Sequence, residues 1–169
     1  IIRIKAKRND YLLLLGDKPN HLGQSAFFKE VLNISGEEAG PVPKINFDKE
    51  KKVAKFIQEI NSDKLILGGN DVSDGGILLA AAEICILNQI GILFMHGEIS
   101  WLFGENQGLY LIVCEKKNEK LITDRAKSNE IPIQTLGQFK DELFQIGKEN
   151  IKVKELKTIF DKGLDDLFN

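Results

Sequence analysis

The chain has 169 residues, with 23 Lys and Arg against 25 Asp and Glu, a net charge of −2 and 43% hydrophobic residues. That length suits one domain with a real core, and the apolar content is too high for a disordered chain. The balanced charge supplies no electrostatic footprint for nucleic acid or an anionic membrane. Only Arg3, Arg8 and Arg125 are Arg, so planar, bidentate recognition of phosphate or guanine is poorly served. The apolar run from Ile77 to Ile86, interrupted by Glu83, falls short of the roughly 18–20 residues a membrane span needs. No signal peptide is visible. Cys85 and Cys114 lack metal or disulfide spacing and read as buried free thiols, which suits the cytoplasm. The chain starts at Ile1 rather than Met, which suggests a piece of something longer.

In chain order, residues 1–10 read as a connector and 11–169 as one domain. Tyr11–Asp17 is an apolar run closed by Gly16, a buried strand. After a polar loop, Ser25 caps a predicted helix through AFFKEVLNI, with Phe27, Phe28, Val31 and Leu32 inward. The turn-rich Gly36–Pro43 stretch ends in GPVP, which no helix crosses. An amphipathic helix follows, capped by Asn46 or Asp48, with Phe47, Val53, Phe56, Ile57 and Ile60 on one face. KLILGGNDVSDGG is a strand entering a glycine-rich acidic turn, and ILLAAAEICILNQ is apolar enough to be a central buried helix. GILFM and LYLIVCE are strands around the short helical or turn segment EISWLFGENQG. KKNEKLITDRAKSNEI is a surface helix and PIQTLGQF a strand. Glu142–Ile146 and Ile151–Val153 form a hairpin across GKEN, and a final helix turns Leu156, Ile159, Phe160, Leu164 and Leu167 inward. The fold class is α+β, a mixed sheet covered by helices.

Three segments could carry chemistry. In Gly68–Gly76 a strand delivers Asp71, Ser73 and Asp74 to the mouth of a helix, where Gly75 and Gly76 let backbone N–H groups approach a ligand. A helix N-terminus suits phosphate. The carboxylates would repel it unless a hard cation such as magnesium lay between. The plainer explanation is that Asp74 caps the helix and Asp71 forms a turn. In Leu102–Gly108, Glu105, Asn106 and Gln107 stand together between glycines, able to hold a polar ligand or simply forming a solvated turn. Gly23, Gln24 and Ser25 precede a helix, a second anion-binding start or an ordinary cap, without the P-loop pattern. His21 and His96 have no metal-ligand spacing. No serine-hydrolase elbow or cysteine-nucleophile signature is present.

Taken in order, HLGQSAFFKEV, GPVP, NDVSDGGILLAAAEI and WLFGENQGLYLIV resemble the C-terminal domain of phosphoribosylformylglycinamidine synthase of the PurL type. That domain belongs to the superfamily of aminoimidazole ribonucleotide synthetase, hydrogenase maturation, selenophosphate synthetase and thiamine-monophosphate kinase proteins. The resemblance covers about Tyr11 to Phe168. It implies part of a carbon–nitrogen ligase of purine biosynthesis, which uses ATP and glutamine-derived ammonia to convert formylglycinamide ribonucleotide to the amidine. It also implies the fold of the aminoimidazole ribonucleotide synthetase C-terminal domain.

The resemblance places this chain in the second of two tandem copies. Its residues would then form an auxiliary or vestigial nucleotide site: Gly23, Gln24, Ser25, Ser73, Gly75, Gly76, Asn106 and Gln107 toward nucleotide phosphate, and Asp71, Asp74 and Glu105 toward metal. No catalytic residue is expected here, and the isolated piece is expected to be inactive. Magnesium and ATP belong to the full-length enzyme, and whether this piece holds either stays open. Asn70 stands where the family has His, and Asn106 and Leu109 replace a small residue and an Arg, which fits relaxed demand on that site. Expected partners are the remainder of the synthase chain, a separate glutaminase subunit and a small bridging subunit. The last two follow if Asn169 is the native end. Two alternatives stay open, a ligand-free interaction module and a domain of a sister enzyme of the superfamily.

Overall fold

The computed structural model describes residues 4–95 and 97–168, with side chains only as far as 163. Among the described residues seven strands form one mixed sheet in the order β2-β4-β1-β5-β3-β6-β7. Strand β1 (Tyr11–Leu15) runs antiparallel between β4 (Tyr110–Cys114) and β5 (Ile133–Lys140). Strand β2 (Gly68–Asp71) lies antiparallel outside β4, and β3 (Gly91–Phe94) pairs antiparallel with β5. Strand β6 (Leu143–Ile146) is parallel to β3, and the hairpin partner β7 (Glu149–Lys152) closes that edge.

Continuous apolar runs in β1 and β4 have a direct cause. Leu12 and Leu14 face one core while Leu13 and Leu15 face another, and Leu111 and Val113 divide from Ile112 and Cys114 in the same way. A strand with helices on both faces has no side to leave polar. One layer holds α2 (Gly76–Asn88), the short α3 (Ile99–Phe103) and α5 (Val153–Phe168), through residues such as Ile77, Ile84, Trp101 and Val153. The opposite layer holds α1 (Phe47–Ser62) and α4 (Lys116–Ser128), through Val53, Phe56, Ile60, Ile122 and Ala126. Burying each such large side chain contributes about 1.5–3 kcal/mol. Asn46 caps α1 by accepting from the Lys49 N–H. Cys85 and Cys114 are free and buried, and burial pushes both thiols up to about 12.

Residues 4–10 pack on the sheet. Ala6 enters the first core, its N–H donates to Asn88 Oδ1, and Asn9 and Asp10 exchange backbone bonds with Phe139. Asp10 is only 7% exposed and accepts from the Lys7 N–H at 2.8 Å.

Five expectations need correction. The helix after Ser25 is only a five-residue π turn, Phe27–Val31. The chain leaves it through Asn33 at φ 55°, so Val31 and Leu32 stay exposed and Phe27 and Phe28 are half-buried. Phe47 is 66% exposed because it occupies the first helical position of α1, ahead of the turns that reach the sheet. The strand expected from Lys64 onward starts only at Gly68, because Lys64 still belongs to the turn after α1 at φ 56° and Leu67 lies in a bend. In α5, Leu156 joins the first core but Ile159 and Phe160 are exposed, while Leu164 and Leu167 lie outside the described side chains. Helix α2 is central but not fully buried, since Leu79 and Leu87 are exposed on its outer side.

Candidate functional site

Strand β2 ends at Asp71, opposite Tyr110. Val72 turns into the core and holds the bend by donating its N–H to the Leu109 carbonyl. Ser73 and Asp74 are exposed, and the Gly76 N–H closes a turn on the Ser73 carbonyl. Asp74 does not cap α2, because Gly75 takes that position at φ 81° with no side chain capping it. The two glycines serve packing. A Cβ on Gly76 would come within 2.7 Å of the Phe103 backbone, and one on Gly75 would strike Leu79. The chain needs both to turn in the left-handed region and to seat α2 against the end of α3. Burial, then the carboxylates of Glu50 and Asp71, push the Tyr110 hydroxyl upward and keep it protonated.

The donors of this turn are in use. Glu105 Oε1 accepts from the Gly75 N–H at 2.8 Å and from the Ala26 N–H at 2.8 Å. One carboxylate thus joins the start of α2 to the loop before the π turn, where the field of a helix N-terminus favours an anion. Hydrogen bonds to an ionised acceptor are about twice as strong as neutral ones. The Phe27 and Phe103 rings, with centroids 4.6 Å apart, fasten the π turn to the end of α3 from the apolar side.

The first loop is committed in the same manner. Gln24, at φ 57°, donates its side-chain amide to the carbonyls of Gly36 and Gly40. Ser25 is buried and its Oγ accepts from the Phe28 N–H. Gly23 donates its N–H to His21 Nδ1, and a Cβ there would meet the Pro41 carbonyl at 2.1 Å. Of the predicted site residues, the structure therefore joins Glu105 to Gly75 and, through Ala26, to the loop of Gly23, Gln24 and Ser25. Ser73, Asp71 and Asp74 stay at the surface of the turn.

Asn106 and Gln107 look the other way. They line a cleft of about 330 Å³ with Asp17, Lys44, Lys49 and Lys52. Lys49 pairs with Asp17, and Lys52 with Glu130 at 3.3 Å. Asn106 Oδ1 is buried without a hydrogen-bond partner among the described residues. The lysines at this cleft escaped the sequence reading because Lys49 and Lys52 have the spacing of a solvated helix face. Leu109, where the resemblance had suggested a lost anion contact, is a core residue at 2% exposure.

The acidic turn is already braced by a carboxylate of the chain itself. Among the described residues, no three His, Cys, Asp or Glu side chains gather so as to hold a metal ion. Two N–H groups that would face a phosphate are already given to Glu105.

Residues 7–145 match the family model for the C-terminal domain of AIR synthase related proteins. The chain belongs to that family. The PurL subunit of phosphoribosylformylglycinamidine synthase from Ruegeria sp. is 33% identical over 156 residues, 92% of this chain and 21% of that protein. The PurL subunit of Bartonella tribocorum is 30% identical over 154 residues, 86% of this chain and 20% of its own length. The chain thus spans about a fifth of the curated relatives it matches. Thermotoga maritima PurL complexed with FGAR has the same fold, with a TM-score of 0.77 at 16% identity over 91% of this chain and 29% of that one. The hydrogenase maturation protein HypE shares it at a TM-score of 0.59 and 11% identity, over 88% of this chain and 53% of HypE. Among the described residues no helix is long and apolar enough to cross a membrane.

Proposed function

We propose that this chain is the C-terminal domain of a phosphoribosylformylglycinamidine synthase, and that it serves assembly rather than chemistry. The observation that carries the reading is the match over 92% of the chain to a fifth of a PurL subunit. The whole enzyme would be a carbon–nitrogen ligase of purine biosynthesis in the cytoplasm, with ATP, magnesium and glutamine-derived ammonia as its requirements. Residues 11–169 would act as one unit beside the remainder of the synthase chain. Further partners would be a separate glutaminase subunit and a small bridging subunit; the solved PurLQS of Thermotoga maritima supports only that other subunits take part. PurL of that organism has also been solved with ATP, and the nucleotide requirement here is read from that protein.

Within this domain the acidic turn is a vestigial nucleotide site. Glu105 fills the anion position from inside the protein, so Ser73, Gly75, Gly76 and the Gly23–Ser25 loop hold structure, and Asp71, Asp74 and Glu105 hold no metal unaided. The isolated chain is expected to form no amidine with ATP and an ammonia source.

A domain exchange tests the reading. The matching fifth of Ruegeria PurL is replaced by this chain, and the chimera is placed in a strain lacking its own synthase. Growth without added purine is the expected result. A chimera that accumulates as soluble protein yet gives no growth would contradict it.

A further inference from the structure

Residues 4–10 form a strap across one end of the sheet. At its start Lys5 donates its N–H to the Leu67 carbonyl at 3.4 Å, and Ile4 lies against Gly68, where an added Cβ would come within 2.8 Å of the Ile4 Cα. Gly68 holds φ at 148°, so a side chain there would be strained as well as in the way. In the middle of the strap Ala6 enters the first core and donates its N–H to Asn88 Oδ1 at 3.0 Å, while Asn88 Nδ2 donates to the Ile84 carbonyl. At its end Asn9 and Asp10 bond the backbone of Phe139 in β5, and Arg8 pairs with Asp141 at 2.7 Å. The strap thus reaches from the edge strand β2 to β5, three strands in.

Two of these attachments act on one unit. Leu67 leads into β2, which starts at Gly68, and Asn88 is the last residue of α2. The acidic turn lies between β2 and α2, so the strap grips the β2–turn–α2 unit at both of its far ends. Strand β2 has little else to hold it. It pairs with β4 alone, over four residues, two of them glycine, and glycine in a strand has no side chain to pack. Elements with few contacts open most readily within a native fold. We propose that residues 4–10 are a conformational strap. Docked, they fix β2 and α2 and keep the Gly75 N–H on Glu105; released, they free the acidic turn. The segment that enters the domain here thereby sets the state of a turn at the other end of β2.

Two variants within the strap, Ala6→Asp and Asn9→Val, test this by amide hydrogen exchange of the intact chain, followed by NMR. The first puts a charge on a side chain that is only 9% exposed. The second forces a β-branched residue onto φ 75°. Neither changes β2, the turn or α2. Ile60→Val, in the opposite helix layer, is the control. In both strap variants the amides of Ala6, Val72, Gly75 and Gly76 should exchange about fivefold faster than in wild type or more, while those of Phe56 and Ile122 stay within about twofold. A faster Ala6 amide with the turn amides unmoved would overturn the proposal. So would an equal rise across both layers, a selective rise at the turn in Ile60→Val, or an Ala6 amide unchanged in both strap variants. If Ala6→Asp does not accumulate as folded protein, Asn9→Val decides alone.

Discussion

The two helix layers solve the same burial problem in different ways. On the α1 and α4 side most apolar residues face the sheet, Phe47 and Leu121 being exposed exceptions, and both outer faces carry Lys, Glu and Asp, with Arg125 paired to Asp63 between the helices. That layer is finished in water. On the α2 and α5 side, leucines continue round the outer surface of α2 and apolar residues run on along α5. Leu79 and Leu87, with Glu83 between them, stand exposed, and Leu79 lines a groove of about 400 Å³. The difference teaches that one sheet can carry a helix layer with a largely polar outer face and another with leucines left exposed.

The sharpest way to break that contrast is to truncate equivalent residues on the two layers. Phe56→Ala, at 3% exposure inside the α1 layer, should cost about 3–5 kcal/mol in urea unfolding. Leu87→Ala, at 75% exposure on α2, should stay within about 0.5 kcal/mol. Equal losses would mean that α2 is as finished as α1. Gly76→Ala comes next. Its left-handed conformation and the 2.7 Å approach to Phe103 should cost about 1–3 kcal/mol, read by thermal unfolding, and should loosen α3 from α2. Glu105→Ala leaves the Gly75 and Ala26 N–H groups without their shared acceptor. A loss of about 1–3 kcal/mol is expected, with faster hydrogen exchange at those two amides.

The smallest effect concerns Asp10. Burial, outweighing the Lys7 backbone bond, raises its carboxyl above the ordinary value, and Glu115 adds to the rise. A raised folded value means that the protonated form favours folding. That contribution is present below the unfolded pKa and is lost as pH rises through the folded one. Asp10→Asn keeps an acceptor for Lys7 and removes the buried charge. Its melting temperature should equal or exceed that of wild type at pH 7, with the difference shrinking toward zero as pH falls below about 4.

Much of the fold was legible in the residues. The runs in β1 and β4 and the periodicity of α1 and α4 follow from which side chains must leave water, and each element stands where that pattern puts it. The exceptions have physical causes. Phe27 and Phe28 suggested a helix, but the segment closes after five residues and leaves both half-buried, Phe27 against Phe103 of α3. The apolar composition of α2 signalled burial, yet composition cannot say which of its leucines stay exposed. At the candidate site, glycines and carboxylates marked where three loops meet, and the structure does join Glu105 to two of them. Those hydrogen bonds span 79 and 30 residues, and a relation of that length leaves no local pattern. Glycines that suggested room for a ligand instead make room for Leu79 and Phe103.

Magnesium–ATP titrated into the intact chain by calorimetry, with the Gly75 and Ala26 amides followed by NMR, tests most directly the claim that Glu105 has taken the anion position. The account predicts no saturable heat and unmoved amides for wild type. Saturable binding that displaces those two amides from Glu105 would contradict it.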